Sequence, residues 1–267
     1  MQLSTLLKLN IFYMKHFFIL ILCLISLSIN AQNNAIAAGE KLIYTASYNM
    51  SGILTDIAQV TMETSEAKTS KATLLRLKCS ATTYSKWDNF FKIFDLYESY
   101  VNPKNLTPYL YKRDIKEGNY YKFMKYTFDQ KSNTIKSLQR KRNNVEENKT
   151  FSINPGTKDI VSTLYNIRLF DYTSMSVGSK KNFIIVFDRE EVKAQITYLG
   201  KETISTNIGK KECYKLAISS SENVLQGKNN NLLWLTADEN KIIVYGKFKI
   251  PVGNGELKIK SAQGLKN

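Results

Sequence analysis

Apolar and polar residues alternate along most of the chain. Over residues 40–48, Leu42, Tyr44, Ala46 and Tyr48 fall on one side and Lys41, Ile43, Thr45 and Ser47 on the other, the period of a strand with one packed face. A turn over 49–52 leads to a returning strand at 53–64. Residues 72–81 alternate again, with Leu75, Leu77 and Cys79 opposite Arg76 and Lys78. Residues 84–100 carry two patterns: Trp87, Phe90, Phe91 and Phe94 fit helical spacing, and Phe94, Leu96 and Glu98 fit a strand. This predicts a short aromatic-rich helical segment that becomes a strand near Ile93.

Further strands are predicted at 109–115 and 120–128, around Glu117-Gly118-Asn119, and at 134–141. Arg140-Lys141-Arg142, followed by Asn143, Asn144, Glu146 and Glu147, reads as a strand end entering an exposed loop. Over 159–170, Ile160, Leu164 and Ile167 recur at spacings of four and three. That stripe predicts the one clear helix, with Thr157 as candidate cap. Alternation returns at 183–187, 191–199, 204–208, 212–218, 232–236, 242–250 and 256–260, with a polar loop over 219–231. About a dozen short strands and one central helix predict a mostly β, antiparallel protein.

The N-terminus breaks the pattern. Residues 14–31 hold a lysine and a histidine, an apolar run over 17–25 and a short mixed tail ending at Ala31, the layout of a secretory signal peptide. The run is shorter than the roughly 20 residues that span a bilayer. The expectation is a leader over 1–31, with Met14 as the initiator, and a mature chain in the periplasm or outside the cell that does not span the membrane. Leu22 before Cys23 disfavours a lipoprotein reading.

The leader also changes the chemistry. His16 is the single histidine, so the mature chain has no imidazole for a Ser-His-Asp triad, a Cys-His pair or a histidine-based zinc site. The chain's net charge is +15, and loss of Lys8 and Lys15 with the leader leaves +13, a charge that favours anionic surfaces. Its basic residues are spread through the strands, and export removes nucleic acid as an expected partner. Cys79 and Cys213 remain, an even pair that an oxidising compartment could join as one disulfide or leave as buried thiols. No glycine-rich phosphate loop, calcium loop or cysteine knuckle is present, so no cofactor or metal is expected.

Several ordered residue groups resemble one family. They are Gly39-Glu40-Lys41-Leu42 with Tyr44 and Tyr48, then Phe94-Asp95 with Glu98-Ser99-Tyr100-Val101 and Asn102-Pro103. Pro108, Arg113 and Ile115-Lys116-Glu117-Gly118 follow, then the helix with Ser162, Leu164, Tyr165 and Arg168. The last are Gly200-Lys201-Glu202, Gly209, Cys213, Lys215-Leu216, and Leu233-Trp234 with Asp238. In these the chain resembles the DUF3108 family of exported bacterial envelope proteins, with a leader like those of Bacteroidetes. The residues after Asp238 lack the proline frequent in that family. The resemblance implies one β-rich module over 32–267, its two halves divided near 155–172. The fold expected is a strongly curved antiparallel sheet, or an open barrel or sandwich. The family has no assigned function, so the resemblance supplies no catalytic residues.

Three functions fit these readings. The first is a non-enzymatic periplasmic binding or carrier module for an apolar, lipid-like or anionic envelope component, and it requires a concave apolar cavity. The second is an envelope assembly factor that meets a protein partner through an exposed patch. The third is a histidine-independent hydrolase using paired carboxylates, with Asp95 and Glu98, or Asp188 with Glu190 and Glu191, as the available acids. For binding, Trp87, Phe90, Phe91, Tyr100 and Trp234 are the candidate apolar contacts. Arg113 and Arg168 are candidate charged contacts, with a buried ion pair holding helix to sheet as the alternative reading of each arginine.

Overall fold

The computed structural model describes residues 33–50, 52–142, 145–221, 231–250 and 253–267. The leader lies outside the described residues, as does most of the polar loop over 219–231. Eight strands run in order before the helix: β1 (Lys41–Met50), β2 (Ile53–Lys68), β3 (Thr73–Thr83), β4 (Phe94–Val101), β5 (Pro108–Glu117), β6 (Tyr120–Asp129), β7 (Thr134–Lys141) and β8 (Glu146–Ser152). The helix α1 (Ile160–Asn166) follows, continued by a 3-10 turn over Ile167–Leu169. Six strands complete the chain: β9 (Lys180–Phe187), β10 (Glu190–Thr206), β11 (Gly209–Ser220), β12 (Leu232–Thr236), β13 (Ile243–Ile250) and β14 (Gly253–Gln263).

All fourteen strands belong to one antiparallel sheet, ordered β8-β7-β6-β5-β4-β3-β2-β1-β14-β13-β12-β11-β10-β9. The mostly β, antiparallel character and the single helix agree with the sequence pattern. The expected strong curvature, barrel or sandwich does not form: the sheet is open, with β8 and β9 as unjoined edges. Two features keep those edges apart. β8 is exposed along nearly its whole length and carries Glu146, Glu147 and Lys149, charges that resist further strand pairing. The outer edge of β9 is already engaged by Lys158, whose N–H donates to Ile184 O at 3.1 Å and whose carbonyl accepts from Val186 N–H at 2.8 Å.

Other departures have local causes. β8 replaces the exposed loop expected after Arg142; it lacks alternation because only Phe151, near its end, packs on the core. Residues 191–208 form most of one strand, β10, where two were expected. Gly200, at φ +106°, ends the register shift between Tyr198 and Gly200, so it marks a bulge within a continuous strand. In β1, Leu42 and Tyr44 are buried as the alternation requires. A register shift between Ala46 and Ser47 then exchanges the faces, and Ser47 is buried in place of Tyr48.

The helix is capped by Asp159, not by Thr157. Asp159 Oδ1 accepts from Ser162 N–H at 2.8 Å and Oδ2 from Ser99 Oγ–H at 2.7 Å; such a cap contributes about 1 kcal/mol. Thr157 donates instead to Glu191. The helix packs on β3 and β4 of one half and β9 of the other. Val161 and Tyr165 enter a core shared with Leu77, Met124, Tyr126 and Ile135. Ile167 joins a second core of Tyr172, Ile196, Tyr214, Leu216 and Leu235.

Candidate functional site

Ile160, Thr163 and Leu164 of α1, with Ile167 of the turn that follows, form one wall of a cavity of about 320 Å³. Period-two alternation builds the opposite wall. Phe183, Ile185 and Phe187 project from one face of β9, and Val192, Ala194 and Ile196 from the same side of β10. Ile218, Leu233 and Phe248 close the far side. Among the described residues, Thr163 and Ser220 are the only lining residues with side-chain hydroxyls. Pockets that hold small molecules run from roughly 300 to 1,000 Å³, and an apolar void of about 150 Å³ already takes up benzene. The cavity therefore has the size and chemistry for a short apolar chain.

Gly246 shapes one side of it. A Cβ there would stand 2.9 Å from the Phe248 ring and 3.1 Å from Leu233 Cδ2, so the missing side chain lets the ring lie over the strand. Phe248 also lines a neighbouring open depression of about 550 Å³, where Lys247 and Lys249 sit beside Asn49, Asn254 and Glu256. An apolar cavity thus adjoins a basic, solvent-facing shelf across one aromatic ring.

The β9–β10 turn reaches across to the other half of the sheet. Asp188 and Arg189 hold φ values of +47° and +71°, the left-handed pair of a two-residue hairpin turn. Asp188 accepts from Arg113, and from Lys122 Nζ at 2.7 Å. These cations hold its carboxyl below the usual carboxylate range against the opposing effect of burial. Arg189 donates through Nε to Ser137 Oγ at 2.7 Å and its backbone N–H bonds Tyr126 Oη at 2.8 Å. The Arg113 guanidinium lies 4.6 Å from the Phe187 ring centroid, so this latch bears directly on a cavity-lining residue.

None of the seven residues singled out from the sequence lines the cavity. Trp87 and Phe90 lie on the β3–β4 connection with ring centroids 6.0 Å apart, and Phe90 and Phe91 are exposed. Tyr100 is half-buried on β4 under Lys112 Nζ. Trp234 is buried against Tyr245 and donates its indole N–H to Glu202. Arg113 and Arg168 are both buried in ion pairs, with Asp188 and Glu40. Cys79 on β3 and Cys213 on β11 are free thiols. Burial pushes Cys79 up to about 12 and Cys213 up to about 11, which keeps both protonated and unreactive.

The acids considered for catalysis are engaged elsewhere. Glu98 accepts from Arg76 Nε at 2.7 Å, and Glu191 accepts from Asn154 and Thr157. Asp95 is buried, and burial pushes it up to about 7, with the neighbouring Glu117 carboxyl adding to the rise and the Lys116 N–H opposing it. The unfolded chain then ionises Asp95 near the ordinary value of about 3.9. Stability from this group is therefore full below that value and is lost as pH rises towards 7. Asp95→Asn removes the ionisation, so the melting temperature of the variant should gain on wild type between pH 4 and pH 8. Parallel melting curves across that range would exclude the effect.

No helix among the described residues is long and apolar enough to cross a membrane, and no group of three or more potential metal-ligating His, Cys, Asp or Glu residues occurs among them. No curated protein matches the chain. A β-barrel-like protein of the DUF1849 domain of unknown function from Brucella abortus is similar to it in structure, at 7% identity and a TM-score of 0.53, over 84% of this chain and 96% of that one. This likeness concerns the fold alone. A candidate exported protein with a YmcC-like fold from Bacteroides fragilis aligns at 7% identity and a TM-score of 0.36, over 85% of this chain and 97% of that one. A candidate lipoprotein from Parabacteroides distasonis aligns at 9% identity and a TM-score of 0.35, over 85% and 96%. The family model for DUF3108, described as a protein of unknown function, matches residues 43–260, and the chain belongs to that family.

Proposed function

We propose that the protein is an exported, non-enzymatic binding or carrier module for an amphiphilic envelope component. Its apolar chain would occupy the cavity between α1 and β9–β13, and its anionic end would lie on the shelf at Lys247 and Lys249. The observation that carries this reading is the cavity itself, lined almost wholly by apolar side chains that converge from a helix and five strands. An apolar void of that size leaves van der Waals contacts unmade, which a chain of methylenes would supply at about 0.8 kcal/mol each. The basic shelf selects for a negative head, in keeping with the net charge of +15. Export is supported by the signal-like layout of residues 14–31.

The test is titration with a fluorescent fatty acid, followed by its emission, with an uncharged alcohol of the same chain length as competitor. Saturable binding that the fatty acid wins over the alcohol, with the preference shrinking at high salt, supports the reading. An absence of saturable binding by either compound overturns it.

A further inference from the structure

A second feature lies outside the cavity. Nine large apolar side chains are exposed among the described residues, and strand direction places seven of them at one end of the sheet. Ile53 and Leu54 follow the β1–β2 turn. Phe90 and Phe91 lie on the β3–β4 connection and Phe94 opens β4, at 82%, 51% and 53% exposure. Tyr120 opens β6, and Val145 precedes β8. Antiparallel order brings all of these turns to the same rim.

The rim is held in shape. Tyr84 N–H donates to Ile57 O at 3.0 Å and the Trp87 indole N–H to Asp56 O at 2.9 Å, joining the β3–β4 connection to β2. Gly118 N–H donates to Lys92 O at 2.8 Å, joining it to the β5–β6 turn. The large rings therefore stay in water although the backbone beneath them is fixed.

Cations surround the rings. Lys86 Nζ lies 5.6 Å from the Trp87 ring centroid and Lys116 Nζ 5.8 Å from that of Phe94. Lys92 is exposed and 3.6 Å from Asp88, and Arg142 reaches Asn119 O across the β6–β7 edge. Of the nearby acids, Asp88 also accepts from Thr83 Oγ1–H at 3.1 Å, Asp95 and Glu117 face one another, and Asp114 lies 3.5 Å from the half-exposed Lys116. Exposed aromatic rings ringed by lysines are the chemistry of a surface that sits at an anionic lipid–water boundary. We propose that this rim docks the protein on an anionic lipid surface, with Phe90, Phe91 and Phe94 entering the headgroup layer and Lys86, Lys92 and Lys116 meeting lipid phosphates. The proposal rests on exposure and strand direction and stands whether or not the cavity holds a ligand.

The test is co-sedimentation of the purified protein with phosphatidylcholine vesicles, with and without phosphatidylglycerol. Fluorescence quenching by brominated acyl chains is read in parallel. Partitioning is expected only with phosphatidylglycerol and should weaken with salt. Each lysine changed to glutamine at Lys86 or Lys92 should cost roughly fivefold. Phe90→Ser with Phe91→Ser should abolish partitioning, leaving the melting temperature unchanged because both rings are exposed. Quenching should report Trp87 and vanish in Trp87→Phe, since Trp234 is buried. Equal partitioning to both vesicle types, or quenching that persists in Trp87→Phe, overturns the proposal. Self-association without vesicles that is lost in the Phe90/Phe91 variant would assign the rim to a second copy of the chain, and would also overturn it.

Discussion

Arg168→Leu is expected to lower the free energy of unfolding by about 3–5 kcal/mol, the range for removing one partner of a buried pair. Arg168 and Glu40 are both fully buried, and they meet through two parallel bonds of 2.7 Å. Two further donors are used: Nε bonds Asn240 O at 2.9 Å and Nη2 bonds Ala35 O at 3.2 Å. One side chain therefore ties the turn after α1 to the segment before β1 and to the turn before β13. Asn240 extends the clamp to the last residue, accepting from Asn267 N–H at 3.0 Å. Gly264 fits only without a side chain, since a Cβ would stand 2.1 Å from Gly39 O, beside Glu40. Removing Arg168 leaves the Glu40 carboxylate desolvated and unpaired, which is the source of the cost. Urea denaturation measures it. Arg168→Met combined with Glu40→Leu should recover part of the loss, because no lone charge then remains. A loss below about 1 kcal/mol for the single change would mean that the pair is not sealed from water.

Ala194→Phe carries the second large effect, this time on binding. Ala194 lies between Val192 and Ile196 on the face of β10 that lines the cavity, and it is the smallest residue there. A ring at this position would occupy space that the proposed chain needs. Displacing as few as two methylenes forfeits about 1.6 kcal/mol, more than tenfold in Kd. The variant should fold as well as wild type or better, because the ring fills a void instead of crowding a packed core. Weakened fatty-acid binding with an unchanged or raised melting temperature is the expected pair of results. Unchanged affinity would place any ligand elsewhere.

Much of the fold was legible in the sequence because a half-buried strand shows its two faces. β7 and β12 coincide with the alternating stretches that predicted them, and the aromatic stretch does turn into a strand at Phe94. The misses arise where alternation is absent or interrupted. β8 packs only Phe151, Gly200 reads as a break but lies at a bulge, and β1 shifts register between Ala46 and Ser47. The open edges were not legible, since local pattern does not say which strands remain unpaired. Nor was the cavity, because the densest aromatic cluster, Trp87, Phe90 and Phe91, lies at the rim, and Trp234 lies in the core. Its signal was plainer: Phe183, Ile185 and Phe187 opposite Val192, Ala194 and Ile196, two apolar stripes with one small residue at the centre. For Arg168 the sequence left open both a ligand contact and an ion pair. Glu40, 128 residues away, is its partner, and only folding brings the two together.

The most direct measurement is diffraction from crystals grown with a bromine-tipped fatty acid. An anomalous bromine peak is expected in the cavity bounded by Leu164, Ile185, Ala194 and Phe248, with the carboxylate near Lys247 and Lys249. An empty cavity in crystals whose solution contained saturating fatty acid, or a bromine peak confined to another surface, would contradict it.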